Sequence, residues 1–172
     1  MMKITISLPL KGHTGKSLRN LVSMIYSRGP LLSKVTGGSF SCTFEQVRAL
    51  KGCLTVWDVQ ERITDDLIGI SITDDTIDFT GFPLVEDPTV FIQLAEQMNA
   101  QAKEKMLVFA KKVDAANEKY SFRTWLLALG MSGPEFKTAR KVLLSPLSGN
   151  AAFKDEATAK NNHFDAGNPC DS

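Results

Sequence analysis

Residues 3–25 read KITISLPLKGHTGKSLRNLVSMI, and this stretch decides how the chain begins to fold. Polar and apolar residues alternate over residues 3–8, which is the period of a β-strand with one buried face, and Pro9 ends the run. After a short loop, apolar side chains return at the spacing of one helix face: Leu18, Leu21, Val22 and Ile25. The pattern predicts a strand followed by a helix that covers one face of a sheet.

The predicted helix has a polar side and a stop signal. Gly29 followed by Pro30 is expected to end it, because glycine terminates helices and proline cannot continue them. Residues 31–40 are then expected to form a partly irregular connection. The side chains expected to face solvent are Lys16, Arg19, Asn20 and Ser23.

Two capping boxes predict short helices in the next stretch. Thr43 lies three residues before Gln46, and Thr55 lies three residues before Asp58. This spacing lets each pair satisfy free N–H groups at a helix start. The apolar residues assigned to these helices are Phe44, Val47 and Leu50 in the first and Trp57, Val59 and Ile63 in the second.

A β-hairpin is predicted after the short helices. Residues 68–72 and 76–79 are rich in β-forming residues and flank Asp74 and Asp75, which suit a turn. Because a two-stranded hairpin is marginal alone, we expect it to join the first strand. The result would be a small three-stranded antiparallel sheet.

The chain after Asp87 has helical periodicity. Asp87 as N-cap and Pro88 at the first helical position predict the start of a long helical segment. Its apolar residues at helical spacing are Phe91, Leu94, Ala95, Met98, Ala102 and Phe109.

Two further helices are predicted beyond this segment. Asn117 can cap the first, which is expected to stop at Gly130. Ser132 and Glu135 have the spacing of a capping box, with Pro134 between them, and predict the start of the last helix. The buried stripe of that helix is expected to comprise Phe136, Ala139, Leu143 and Leu147.

Together these elements predict an α+β fold. A length of 172 residues lies within the usual range of one domain. We expect a single globular domain over residues 1–153, with a sheet-containing part at 1–83 and a bundle of about three helices at 87–153. Residues 154–172 are polar and are expected to form a flexible tail.

Charge is distributed in blocks along the chain. Residues 1–52 carry eight Lys or Arg and one Glu, whereas residues 53–99 carry ten Asp or Glu and one Arg. The blocks either neutralise one another across the fold or face different partners. The net charge of +1 argues against a protein that coats nucleic acid without discrimination.

The second interpretation gives a set of candidate residues for binding nucleic acid or a protein partner. Three of them lie on the last helix of a hairpin resembling a helix-turn-helix, which would place them in a DNA major groove. The alternative is an amphipathic hairpin that only closes the core. The candidate binding residues are Lys16, Arg19, Asn20, Arg28, Lys34, Lys137, Arg140 and Lys141.

Residues 12–17, GHTGKS, partly match a phosphate-binding P-loop. The match fails because Leu10 stands where the motif needs a glycine. An ordinary helix start is the simpler interpretation, and a backbone phosphate held at the helix N-terminus beside Lys16 is an alternative. An enzyme acting on phosphorylated substrates through Lys16 and Ser17 is the least favoured hypothesis.

Catalytic and metal-binding signals are sparse. The chain has two histidines and three cysteines without a CxxC pair, so neither a metal site nor a cofactor is expected. A Cys or Ser nucleophile needs a nearby base, and only His13 with Cys42 suggests such a pair. The acidic residues of the middle block have no cation-loop spacing; a solvated acidic face is expected, and mimicry of a nucleic-acid backbone is the alternative. We therefore expect a protein that is not an enzyme.

The cysteines are expected to be free thiols because no secretory segment is visible. No run of apolar residues approaches the ~20 needed to cross a bilayer. A cytoplasmic protein without a membrane partner is the expectation.

Four stretches together resemble a known family. They are KGHTGKSLRNLV at 11–22, YSRG at 26–29, FTGFP at 79–83 and NEKY at 117–120. The family comprises small proteins encoded on conjugative and related mobile elements of Gram-positive gut bacteria, often labelled virulence-related. The resemblance runs from residue 2 to about residue 153.

The resemblance implies a mobile-element accessory protein that antagonises host defences, CRISPR nucleases included, or assists DNA transfer. It supplies no catalytic residues. The leading hypothesis is thus a non-enzymatic protein that binds and inhibits or modulates a host nuclease or other nucleic-acid-handling complex, through protein or through a DNA or RNA backbone. The alternative is an accessory factor that binds DNA directly with Lys137, Arg140 and Lys141.

Overall fold

The computed structural model describes residues 2–63, 65–113 and 116–151. The predicted tail at 154–172 lies outside them. In the first half of the chain the elements are β1 (Ile6–Pro9), α1 (Gly15–Thr36), α2 (Phe44–Ala49), α3 (Val56–Arg62), β2 (Ile70–Ile72) and β3 (Thr76–Phe79). In the second half they are α4 (Thr89–Glu104), α5 (Glu118–Ala128), a 3₁₀ turn (Pro134–Phe136) and α6 (Lys137–Leu144).

The α+β prediction is confirmed. The sheet has three antiparallel strands in the order β1-β3-β2, and the predicted hairpin joins β2 to β3. Ile6 pairs with Phe79 across β1 and β3. Strand β1 begins at Ile6 and not at Lys3. Lys3 makes only an isolated bridge to Pro83.

Helix α1 does not stop at Gly29-Pro30, contrary to the sequence-based expectation, and ends at the left-handed Gly37. Proline inside a helix costs about 3 kcal/mol. Leu31, Leu32 and Val35 are buried beyond it, and burying each such side chain is worth about 1.5–3 kcal/mol. The apolar stripe therefore outweighs the proline, whose ring lies at the exposed side of the helix.

The expected polar face of α1 is also partly wrong. Asn20 and Ser23 are each 1% exposed, whereas Lys16 faces solvent and Arg19 is partly buried. The cause is a larger contact surface than the sequence pattern predicts, because α1 packs against α2, α3, α4 and α6.

Both capping boxes in residues 43–58 are confirmed. Thr43 accepts a hydrogen bond from the backbone of Gln46, and Thr55 accepts one from Asp58. The helices are short, however, with six and seven residues, and bury only Val47 and Val59 within their bounds. The aromatic residues assigned to them are exposed: Phe44 by 49% and Trp57 by 66%.

Three details of the second half differ from expectation. Helix α4 ends at Glu104, so Phe109 belongs to no helix and is exposed. The capping box predicted at Ser132 is not formed, because Gly133 precedes the 3₁₀ turn without a side-chain cap. Arg140 fixes this connection instead, donating to the carbonyls of Met131 and Gly133 at 2.7 and 3.0 Å.

Other details agree with the sequence. Asn117 caps α5 by accepting from Tyr120 N–H at 3.0 Å, and that helix is followed by Gly130 with φ of 89°. Asp87 accepts from Thr89 N–H at 3.0 Å, although α4 begins only at Thr89. No helix in the described ranges has the length and apolar character required to cross a membrane.

An aromatic cluster links the sheet to the helical half. Phe82 is fully buried, with its ring centroid 4.9 Å from that of Phe40, 4.9 Å from that of Phe91 and 6.3 Å from that of Phe79. These four residues come from the loop after α1, from β3 and its following turn, and from α4. The ring of Phe82 thus holds three parts of one core together.

Replacing Phe82 with alanine should lower the free energy of unfolding by about 3–5 kcal/mol, since a large buried ring leaves a cavity that its neighbours fill only in part. Leu84→Ala is the matched control two residues away, because Leu84 is 52% exposed. Urea unfolding measures both. An equal, small effect of the two substitutions would contradict this description of the core.

Candidate functional site

The candidate site is built on two buried polar residues of α1. Asn20 and Ser27 are seven residues apart, so they lie on one side of the helix two turns from each other. Asn20 Nδ2 donates to the carbonyls of Ala102 at 3.1 Å and Lys105 at 2.9 Å, and its Oδ1 accepts from Val108 N–H at 3.0 Å. One side chain therefore fixes the chain at and just beyond the end of α4.

Ser27 continues this attachment along the helix. Its hydroxyl donates to the carbonyl of Phe109 at 2.9 Å and accepts from Lys111 N–H at 3.3 Å. Its backbone carbonyl accepts from Val113 N–H at 3.3 Å. Residues 105–113, named here the 105–113 segment, are thus held along α1 without forming a helix or strand.

The fixed backbone turns several apolar side chains of the segment outward. Met106 is 79% exposed, Leu107 47% and Phe109 76%. Lys111 and Lys112 are exposed as well. Large exposed apolar side chains grouped beside charges are typical of binding surfaces.

A cleft of about 500 Å³ opens between α1, the 105–113 segment and α5. Its volume lies in the range of ligand-binding clefts. Among the described residues that line it there is no Asp or Glu. The lining residues with charge or aromatic character are Arg28, Lys105, Phe109, Lys111, Lys112 and Trp125.

Arg28 is the most firmly placed cation of this cleft. Its guanidinium carbon lies 5.6 Å from the ring centroid of Trp125, and Nη1 donates to Ser121 Oγ at 3.2 Å. Burial lowers the pKa of Arg28, but arginine stays protonated in proteins. Lys112 is placed in a similar way, with Nζ 5.5 Å from the ring centroid of Tyr26.

These contacts gather positive charge in the cleft. Four cationic side chains line it, and no carboxylate among the described lining residues offsets them. Aromatic faces hold two of the cations, which reduces the side-chain entropy lost when a ligand binds. The positive field is therefore locally strong although the net charge of the chain is only +1.

The structure brings three of the predicted binding residues to this region. Arg28 lines the cleft, Asn20 holds the 105–113 segment from behind, and Lys16 reaches the segment with Nζ 3.7 Å from Met106 Sδ. Asn20 is not presented to a partner, because its amide is buried and hydrogen-bonded.

The other predicted residues lie elsewhere. Lys34 forms an ion pair with Glu118 at 2.7 Å, and Arg140 is engaged with backbone carbonyls. Lys137 and Lys141 are exposed on α6. Arg19 is partly buried, and its Nε has no hydrogen-bond partner in the described chain.

Sequence reasoning missed Lys105 because the helical spacing runs on to Phe109, and it missed Lys111 and Lys112 because no motif singles them out. A usable signal was present: residues 105–113 read KMLVFAKKV, with three lysines and no acidic residue. The same stretch contains no residue with strong capping character that would predict where α4 ends.

The P-loop-like stretch forms an ordinary helix start. Gly15 N–H donates to the carbonyl of Leu54 at 3.0 Å, and Ser17 N–H donates to Thr14 Oγ1 at 3.2 Å. A Cβ at Gly15 would collide with the carbonyl of Cys53, which explains the glycine. Two of the N–H groups that a phosphate would need are therefore already bonded.

His13 is buried in a hydrogen-bonded cluster near this helix start. Its Nδ1 lies 2.8 Å from Ser17 Oγ, and its Nε2 lies 2.7 Å from Asn99 Oδ1. Since the Asn99 oxygen only accepts, Nε2 carries the proton and Nδ1 accepts from the Ser17 hydroxyl. The cluster resembles a catalytic triad, with Ser17 as nucleophile, His13 as base and Asn99 orienting the base. However, Ser17 is only 4% exposed and also accepts from the N–H of Thr14.

Cys42 is not the partner of His13. Both ring nitrogens of His13 are occupied, and Cys42 Sγ lies 3.5 Å from the carbonyl oxygen of Val22. Burial raises the pKa of Cys42 to about 11, with a small opposing effect from Lys112. The group is therefore a protonated thiol near neutral pH and a poor nucleophile.

The acidic middle block forms no metal site in the described ranges, where no group of three or more His, Cys, Asp or Glu is placed to hold an ion. Asp58 is used locally: it accepts from the N–H groups of Thr55 at 2.9 Å and Leu54 at 3.0 Å. These bonds lower the pKa of Asp58. Glu61, Asp65, Asp66, Asp74 and Asp75 are exposed.

Asn20→Ala should lower the free energy of unfolding by about 2–4 kcal/mol, because it leaves the N–H of Val108 and two carbonyls without their partner. Hydrogen exchange of the Val108 amide should accelerate in the same variant. Ser23→Ala is the matched control on α1, since the buried Ser23 hydroxyl bonds only the carbonyl of Arg19 within its own helix. A Val108 amide that stays equally protected would contradict the attachment described here.

The stability of the fold should decrease as pH falls below 6.5, the ordinary pKa of histidine. Burial lowers the pKa of His13. The hydrogen bond to Asn99 opposes this shift, and the charge of Lys103 adds to it. The unfolded chain then binds more protons than the folded chain between the two pKa values, so this stability is fully present above 6.5 and is lost as pH drops through the folded pKa.

Urea unfolding of the wild type and of His13→Gln at several pH values above 5 measures this effect. The pKa values of Asp58 and Glu118 lie below their ordinary 3.8 and 4.5, so these carboxyl groups contribute only at lower pH. The difference between the two proteins should shrink with falling pH. A constant difference would show that His13 titrates normally.

No family model, curated protein or solved structure matches this chain.

Proposed function

We propose that this chain is a non-enzymatic binding protein that engages the nucleic acid of a nucleic-acid-handling complex. The observation that carries the proposal is the cleft beside α1, where Arg28, Lys105, Lys111 and Lys112 line one concave surface together with Phe109 and Trp125. Cations that track a phosphate backbone, combined with exposed aromatic rings, are the usual surface of proteins that bind nucleic-acid strands.

The arrangement favours a polyanion over a single small anion. The four cationic residues that line the cleft come from two elements: Arg28 from α1, and Lys105, Lys111 and Lys112 from the 105–113 segment. Each phosphate contact releases condensed counterions, so several separated lysines suit a ligand with many phosphates. Lys16 and Lys103, which is exposed, extend the basic surface beyond the N-terminal end of the segment.

Binding without chemistry is supported by the state of the two nucleophile candidates. The Ser17 hydroxyl is buried and joined to His13 and Thr14, and the Cys42 thiol has a raised pKa. Both groups have structural roles at the start or the side of α1. Neither Ser17 nor Cys42 lines the cleft.

Inhibition of a host nuclease is the form of this function that the family resemblance implies. A protein that covers a strand also needed by a nuclease competes with that nuclease for it. Suppression of cleavage should then depend on the same cleft residues as nucleic-acid binding does.

Lys111→Ala combined with Lys112→Ala should weaken the binding of a labelled oligonucleotide and flatten its salt dependence. Each lost phosphate contact lowers the slope of log K against log salt by about 0.7–0.9, so the pair should lower it by roughly 1.5. Fluorescence anisotropy at several salt concentrations measures both quantities. Both side chains are exposed, so the fold should be unaffected.

Lys137→Ala combined with Lys141→Ala is the matched control, because it removes the same charge from exposed positions of α6. We expect this variant to bind like the wild type. A loss restricted to the α6 variant would favour the direct DNA-binding hypothesis instead. The proposal would be wrong if the wild type bound no oligonucleotide but still bound a nuclease complex whose nucleic acid had been digested. The contact would then be to protein.

A further inference from the structure

We infer that the cleft takes single-stranded and not double-stranded nucleic acid, with Phe109 as the surface on which one base stacks. This inference rests on the proposed function and specifies its ligand. It follows from how Phe109 is presented, from the shape of the cleft and from the environment of Arg28.

Phe109 is held in place by its backbone while its ring stays in solvent. The carbonyl of Phe109 accepts from the Ser27 hydroxyl at 2.9 Å. The N–H of Lys111 donates to the oxygen of the same hydroxyl. The side chain is nevertheless 76% exposed. Because the backbone that carries the ring is already ordered, binding a base to Phe109 costs little backbone entropy, which suits a stacking surface.

Phe109 differs in this respect from the other aromatic residues near the cleft. Trp125 is 7% exposed and packs on Phe122 with ring centroids 5.3 Å apart, and Tyr26 packs on Phe44 at 5.8 Å. Within the described chain Phe109 forms no ring–ring contact of this kind. Its free face is therefore available to a ligand.

The shape of the cleft favours one strand. A volume of about 500 Å³ is of the size that holds a drug-sized ligand, and a nucleotide is such a ligand. The 105–113 segment lies against α1 through Asn20 and Ser27, and it does not project as a helix or ribbon that could enter a groove. Direct reading of a duplex requires such an element in a major groove about 12 Å wide and 8.5 Å deep.

A base can stack on Phe109 only if that face of the base is not already stacked on an adjacent base. In a duplex the faces of the bases are covered, and unstacking one step costs a few kcal/mol. In a single strand that cost is small, so the exposed ring contributes its full stacking energy. The phosphates on either side would then meet Lys111 and Lys112, which are close to Phe109 in the chain.

Arg28 supplies the firmest phosphate contact. Trp125 and Ser121 orient its guanidinium, and a guanidinium has five N–H donors suited to phosphate oxygens. Arg28 is partly buried and lines the cleft. A flat bilayer surface would meet Met106 and Leu107 but not a cation in this position, and this argues for a strand over an anionic membrane.

The test compares Phe109→Ala with Phe109→Trp in the full-length chain. Fluorescence anisotropy is measured with a short oligothymidine and with a duplex of the same length. Phe109→Ala should weaken oligothymidine binding roughly 5- to 150-fold, the equivalent of about 1–3 kcal/mol per stacked base. Phe109→Trp should bind at least as tightly as the wild type, and duplex binding should be weak and unaffected by either change.

The outcomes separate this inference from the proposed function. If duplex and single strand bind equally and Phe109→Ala changes neither, the single-strand inference is overturned; loss of binding in the Lys111 and Lys112 variant would still support the proposed function. If neither nucleic acid binds, both are overturned. If the protein instead binds vesicles containing phosphatidylserine and Phe109→Ala abolishes that binding, the ligand is an anionic membrane and both are again overturned.

Discussion

The structure depends on one constraint, which is that a buried amide on a helix must be hydrogen-bonded. Asn20 is 1% exposed on α1 and cannot reach water. It uses its NH₂ group and its oxygen on three backbone groups at the end of α4 and beyond. An unbonded amide there would cost about 1–3 kcal/mol per group, so the position of the 105–113 segment is determined by α1.

Ser27, two helical turns after Asn20, holds the 105–113 segment in the same way. The two attachments together create the surface beside α1. The backbone of this segment bonds to the side of α1, so Val108 and Ala110 pack against the core while Met106, Leu107 and Phe109 stay exposed. The outward side chains here are apolar and basic. The cleft between the segment, α1 and α5 therefore collects positive charge from residues 28 and 105–112, which are far apart in the chain.

A second polar cluster lies about one turn before Asn20, at the start of α1, and has a different result. His13, Ser17 and Asn99 are three polar residues that satisfy one another between the helix start and α4. Their geometry resembles a catalytic set, yet the hydroxyl is buried and also accepts a hydrogen bond from the backbone N–H of Thr14. This cluster ties the start of α1 to α4, whereas Asn20 and Ser27 tie the following turns to the end of α4 and to the 105–113 segment. The latter attachment borders the cleft.

The sequence by itself determined what depends on local spacing. The alternation over residues 3–8, the two capping boxes and the turn at Asp74 and Asp75 are short-range patterns, and each has its counterpart in the structure. Tertiary contacts decided the rest. Burial of Leu31, Leu32 and Val35 lets α1 continue past Pro30, because the packing energy exceeds the local cost of proline. Asn20, a predicted binding residue, is instead buried and supports the 105–113 segment, because a buried polar group must be hydrogen-bonded. The cleft itself was beyond sequence reasoning, since its cations meet only after α1 and the 105–113 segment are joined.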